Sequence, residues 1–161
     1  MALIVSDANI FIDMEVGGLT RLMFQIGEEI AVPDVLYEEE LREHHSELPG
    51  YGLRILEVRE MFVKEADRMG AIHIRAGRND LLALALAKQE RCPLLTGDGA
   101  LRSAAEAEDV PVRGTLWLVE KMLVSNLLDH AGASAAYDRM RDEGRRLPWT
   151  EVAAQLAIFR Q

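Results

Sequence analysis

Apolar positions fall in short runs near the N-terminus and in helical stripes further on. The chain opens on Ala2-Leu3-Ile4-Val5, which ends in Ser6-Asp7. This run is short and partly β-branched and reads as a buried strand. A second apolar segment, Ala8 to Ile12, closes on Asp13. Leu19, Leu22, Met23 and Ile26 are spaced for a short helix, with Gly27 as its C-cap. Glu29 to Val32 predicts a second strand. Pro33 then opens a helix that carries Val35, Leu36, Glu39 and Glu40 to about His45. Ser46 to Gly52 reads as a loop, and Leu53 to Val58 fits a strand or an early helix equally. Met61, Phe62, Ala66 and Met69 share one face of a helix.

The clearest helix is Asp80 to Arg91. Leu81, Leu82, Leu84 and Leu86, with alanines between, leave almost no polar face before Lys88. Such a helix is buried nearly all round, and Asn79 is placed as its N-cap. Pro93 to Leu95 predicts a strand, Thr96 to Gly99 a turn, Ala100 to Glu108 a helix and Val110 to Val112 a strand. Gly114 breaks the chain before a helix from Thr115 to Leu128, striped by Leu116, Val119, Met122 and Leu123. Two more helical stretches follow, split at Gly144 and restarted near Pro148. Strands alternating with helices predict an α/β domain with a mostly parallel sheet.

Composition narrows the class. A chain of 161 residues suits one domain with a sizeable core, and 49% hydrophobic residues exclude a disordered chain. No apolar run approaches the ~20 residues of a membrane helix, and no signal peptide is expected. The single cysteine, Cys92, cannot form an internal disulfide and is compatible with a reducing cytoplasm. The net charge of -9, from 27 acidic against 18 basic residues, argues against broad electrostatic binding of nucleic acid. It leaves room for a nucleic-acid enzyme whose metal-binding carboxylates add to that charge, and it suits a basic partner segment.

Four acids fall at comparable points of this pattern. Asp7 ends the first strand, Glu39 lies on the helix after the second, Asp80 opens the buried helix and Asp98 follows Pro93-Leu94-Leu95. Parallel strands joined by right-handed crossovers put their C-terminal ends on one edge, so Asp7 and Asp98 share it and the start of the Asp80 helix can face it. Each acid also has an ordinary reading. Asp7 and Asp98 can cap the helices that follow, Asp80 can answer the helix dipole, and Glu38-Glu39-Glu40 can be a solvated face. Carboxylates converging without Lys or Arg partners repel one another. Oxygen ligands of this kind suit Mg²⁺ or Mn²⁺.

The segments IVSDANIFID, VPDVLYEEEL, AGRNDLLALALA and LLTGDGAL, in this order, resemble the motifs of PIN-domain nucleases, whose small members include VapC-type toxins of type II toxin–antitoxin systems. The resemblance implies a PIN-like three-layer α/β/α sandwich with a central, mostly parallel sheet. It covers about Leu3 to Val124. The chain then divides into a PIN-like nuclease domain, 1–124, and a helical extension, 125–161, packing on the same domain or on a partner. The implied activity is Mg²⁺- or Mn²⁺-dependent endoribonuclease cleavage. Asp7, Asp80 and Asp98 would be metal ligands, with Glu39 direct or through water and Glu38 as its alternative. Asn9 and Thr96 would orient the ligands. The acid that many members carry shortly after the fourth is replaced by Gly99-Ala100-Leu101, which weighs against tight binding of a second metal. The implied partners are an RNA substrate, a small antitoxin protein and a second copy of the chain, all in the cytoplasm.

Other residues point less far. Adjacent His44 and His45 diverge by about 100° on a helix and read as a solvated helix end. Cys92 lacks a CxxC partner, and Gly97-Asp98-Gly99 lacks the Lys-Ser/Thr of a P-loop. Arg141, Arg145 and Arg146 read as a solvated face, with contact to RNA phosphate as the alternative. Leu127, Leu128, Leu147, Trp149, Val152, Leu156 and Phe159 are packing positions or a groove for a partner helix. A catalytically weak PIN module that binds proteins is the rival function. The paired acids and late lysine of a receiver-type protein are not evident here.

Overall fold

Strand β1 (Leu3–Ser6) is covered on both faces, and parallel strands pair with both of its edges. These features come from a computed structural model that describes residues 2–160. β2 (Glu29–Pro33) lies on one side of β1 and β4 (Leu94–Leu95) on the other. β3 (Arg54–Leu56) and β5 (Val112–Arg113) form the edges, giving the order β3-β2-β1-β4-β5 with every pair parallel. Both edge strands are short and carry an arginine, which discourages pairing with a further strand. Val5 lies opposite Leu94 and Ser6 opposite Leu95. The strand order reverses between β1 and β4. That is where open α/β sheets leave a crevice beyond their carboxyl ends.

Helices cover both faces. One layer holds α5 (Glu60–Ile72), α6 (Arg78–Glu90) and α7 (Gly99–Ala107). The other holds α1 (Ala8–Gly17), α2 (Thr20–Met23), α8 (Thr115–Val124), α9 (His130–Asp142) and α10 (Trp149–Phe159). Between β2 and β3 lie α3 (Asp34–Leu36), a π-helical turn (Tyr37–Leu41) and α4 (Leu48–Tyr51). The result is the α/β/α sandwich expected from the alternating pattern.

Helix α6 is the central helix of its layer. Every residue from Leu81 to Ala87 is buried, against β1, β2 and β4 on one side and α5 and α7 on the others. On the opposite layer α9 closes onto α1. A Cβ at Gly17 would stand 2.5 Å from Met140 Cε and 3.4 Å from Ala136 Cβ, so the helices meet where no side chain intervenes. Arg139 donates to the Gly17 carbonyl at 2.6 Å, and Arg145 donates to the Asp13 carboxylate at 2.6 Å. Val152 is buried, and Leu127, Leu128, Leu147, Trp149, Leu156 and Phe159 pack on the same core.

Several local expectations change. The helix expected over Leu19 to Ile26 is a single turn, and Gly27, at φ 91°, sits in the turn into β2. Pro33 is the last residue of β2 and precedes α3 in extended conformation. The helix expected to run on to His45 passes into the π turn instead. Leu53 to Val58 contains the edge strand β3. Asn79 does not cap α6, because extended Gly77 starts the helix earlier. Helix α8 stops at Val124, and Asn126 follows in the left-handed region at φ 60°. His45 is not solvated. It is buried, with Nδ1 3.1 Å from the Glu15 carboxylate, and only His44 is exposed. Burial pushes the half-buried Cys92 thiol up to about 11, which keeps it in the thiol form at neutral pH.

The burial of α6 makes a stability prediction. Leu84→Ala should lower unfolding free energy by about 2–5 kcal/mol, the range for an apolar core truncation. Urea denaturation followed by circular dichroism measures it, and a loss below ~1 kcal/mol would contradict this packing.

Candidate active site

Asp7 is the residue after β1, and its amide donates to the Leu95 carbonyl at 3.0 Å. The ladder between β1 and β4 thus carries it to the crevice. Its side chain is fully buried and caps α1: one carboxylate oxygen accepts from the Ile10 amide at 3.1 Å. The other accepts from the Thr96 hydroxyl at 2.5 Å. Thr96 is also buried, and its oxygen accepts from the Asp98 amide at 3.0 Å. One hydroxyl, with one proton and two lone pairs, therefore ties the ends of β1 and β4 together. Asp98 caps α7 by accepting from the Leu101 amide at 2.8 Å. Asp80 lies half-buried in the first turn of α6, folded back beside Gly77.

The three carboxylates act on one another. Burial pushes Asp7 from its ordinary 3.8 up to about 7, against the hydrogen bonds of Thr96 and Ile10, and the charges of Asp80 and Asp98 add to the rise. Burial pushes Asp80 up to about 6, helped by the charges of Asp98 and Glu40. Among the described residues, no Lys, Arg or His forms an ion pair with any of the three. Elsewhere the fold neutralises such a group. Burial would raise Glu108, but hydrogen bonds from Lys88, His73 and Arg68 outweigh it and hold it at about 2.

The glutamate run resolves into three directions. Glu38 pairs with Arg42 at 2.7 Å. Glu39 is exposed and accepts from Asn79, at the start of α6, at 3.4 Å. Glu40 stands close enough for its charge to act on Asp80. Sequence reasoning passed over Glu40. A π turn adds a residue to the helical repeat and re-aims the side chains after it, and nothing in the glutamate run marks it. Asn9 is exposed at the start of α1, and its carbonyl accepts from Arg145 at 3.5 Å. Asp13 belongs to a separate buried cluster, accepting from Thr115 at 2.8 Å and from Arg145.

Oxygen donors without a neutralising side chain fit a hard divalent cation such as Mg²⁺ or Mn²⁺. Among the described residues, no three His, Cys, Asp or Glu side chains stand grouped so as to hold a metal ion. The fit therefore rests on the donor chemistry and the uncompensated charge.

The family model described as a PIN domain matches residues 3–160. This chain belongs to the PIN-domain family. The family is in general one of nucleases, which typically use divalent metals and act on nucleic acid. The PIN match continues through α9 and α10. No curated protein matches the chain.

The site makes the metal-free PIN domain sensitive to pH. In the unfolded chain Asp7 and Asp80 ionise near 3.8, but in the folded protein only near 7 and 6. Between those values the folded state holds more protons, so their contribution to stability falls as pH rises. Without metal, the melting temperature should drop between pH 5 and pH 8, and Asp7→Asn should flatten the drop. Glu108 titrates below this window. A melting temperature that rises over this interval in chelator would contradict the arrangement.

Proposed function

We propose that this PIN domain is a Mg²⁺- or Mn²⁺-dependent endoribonuclease, the toxin of a toxin–antitoxin pair. One observation carries the reading: Asp7, Asp80 and Asp98 converge at the switch point of the sheet with no cationic partner. Asp7, Asp80 and Asp98 would hold the metal, with Glu39 direct or through water. Bound there, the ion would polarise the scissile phosphate and favour deprotonation of water. The reaction is hydrolysis: water adds to phosphorus, the bond to the 3′ oxygen breaks, and that oxygen leaves as a hydroxyl.

The chain's own residues have defined parts in this scheme. Thr96 holds Asp7 and the Asp98 backbone in one register. The Ile10 and Leu101 amides fix the directions of two carboxylates. Asn79, next to Asp80 in the chain, donates to Glu39. Asn9, exposed at the rim, is the further orienting residue. A small antitoxin with a basic segment suits the net charge of -9, and a cytoplasmic homodimer is the assembly the toxin resemblance implies. We read 1–124 as the nuclease domain and 125–161 as an extension packed on it.

A PIN module that binds partners without cutting is the second reading. It is favoured by the absence, among the described residues, of any three His, Cys, Asp or Glu side chains grouped to hold a metal ion. Purified protein incubated with a pool of structured and unstructured RNA in Mg²⁺, Mn²⁺ or chelator separates the two. The nuclease cuts with metal and stops in chelator, and Asp98→Asn lowers the rate by about 10² or more. Thr96→Val should weaken Mn²⁺ binding about 10–100-fold, as loss of a ligand's supporting hydrogen bond does. Glu39→Gln should cost more activity than Glu40→Gln; the reverse order would give the role to Glu40. Folded protein that neither binds Mn²⁺ nor cuts would support the binding module.

A further inference from the structure

A cleft of about 520 Å³ opens beside the acidic site. Its walls come from Gly97 in the β4–α7 turn, Gly114 and Thr115 at the start of α8, and Leu147 and Pro148 between α9 and α10. Gly97 directly precedes Asp98, so the cleft begins where the carboxylate site ends. Two exposed arginines, Arg102 of α7 and Arg146 after α9, line it.

Five other arginines are already paired with carboxylates. Arg42, Arg54, Arg68 and Arg78 face carboxylates on the surface, and Arg145 is paired to buried Asp13. The sequence cluster of three arginines also divides: Arg141 stacks on Trp149, with its guanidinium carbon 4.3 Å from the ring centroid. Arg102 and Arg146 have no carboxylate partner among the described residues. Arg102 lies over Gly114, where a Cβ would stand 3.5 Å from its nitrogen. Asp13 in the cleft is already neutralised by Arg145, leaving Glu151 as the opposing acid. With Asp13 matched by Arg145, the two arginines outnumber the one remaining acid along the walls. The N-terminal end of α8 opens on the same space and favours the same sign of ligand charge.

We propose that this cleft holds the sugar–phosphate backbone of single-stranded RNA next to the bond being cut, with Arg102 and Arg146 contacting successive phosphates. This rests on the nuclease reading above. Planar guanidinium groups match phosphate oxygens in pairs. Leu116, Leu147 and Pro148 offer an apolar wall for the sugar or base between them. A recess of this size takes one or two nucleotides of an extended strand, not a duplex. Such contacts position the strand and carry little sequence information. They also let a strongly acidic protein hold a polyanion beside three carboxylates.

The test measures binding of a fluorescent single-stranded oligoribonucleotide to the full chain carrying Asp7→Asn, between 50 and 200 mM salt. Arg102→Ala and Arg146→Ala should each weaken binding about tenfold. Each should also lower the slope of log affinity against log salt by about 0.7–1. Lysine at either position should restore most of the slope, and Arg91→Gln, on the opposite edge of the sheet, should leave it unchanged. Unaltered affinity and slope in the double alanine variant would overturn the proposal, as would failure of the parent to bind RNA at 50 mM salt. Loss of binding to an acidic peptide in place of RNA would assign the cleft to a protein partner and overturn it as well. Cleavage by the unmodified chain, scored separately with Mn²⁺, decides the nuclease reading independently of this cleft.

Discussion

Three carboxylates cannot gather by their own electrostatics; something else must hold them against repulsion. Here it is the backbone. The ladder between β1 and β4 places Asp7 and Thr96 side by side, and two helix starts use Asp7 and Asp98 as caps. Each cap gives its carboxylate an amide donor, and Thr96 adds a hydroxyl. The repulsion that remains shows as the raised Asp7 and Asp80. The buried girth of α6 is what lets the fold sustain this, since Asp80 is fixed at the end of a helix that cannot shift.

The same protein handles other acids differently, and the contrast gives the site its meaning. Glu108 is surrounded by Lys88, Arg68 and His73, and Asp13 by Arg145 and Thr115. Those are structural solutions, in which each negative charge has a donor of opposite charge. At the switch point, by contrast, Asp7, Asp80 and Asp98 have no such partner among the described residues. That asymmetry is the feature on which the proposed function rests.

The C-terminal helices bear on function as well as packing. Arg139 and Arg145 bind them to α1, the helix that Asp7 caps. The turn between α9 and α10 forms one wall of the basic cleft and supplies Arg146. The acidic site and the cleft lined by Arg102 and Arg146 thus lie side by side. The chain builds the two from segments more than a hundred residues apart.

Local sequence determined much of this. The apolar run before Asp7, the all-round apolar helix after Asp80 and the turn around Asp98 arise from composition over a few residues, where burial and capping preferences act. The ordered motifs identified the family, and Thr96 was legible as the hydroxyl before the last acid. Tertiary structure decided the rest. The π turn that separates Glu38, Glu39 and Glu40, the early start of α6 at Gly77 and the burial of His45 depend on packing against distant segments. Arg141, Arg145 and Arg146 are near neighbours in the chain, yet one stacks on Trp149, one neutralises Asp13 and one faces the cleft. Local propensity sets helices and strands because it acts within a turn or two; which charges meet is set by the sheet order, which brings β1 against β4 across some ninety residues of chain.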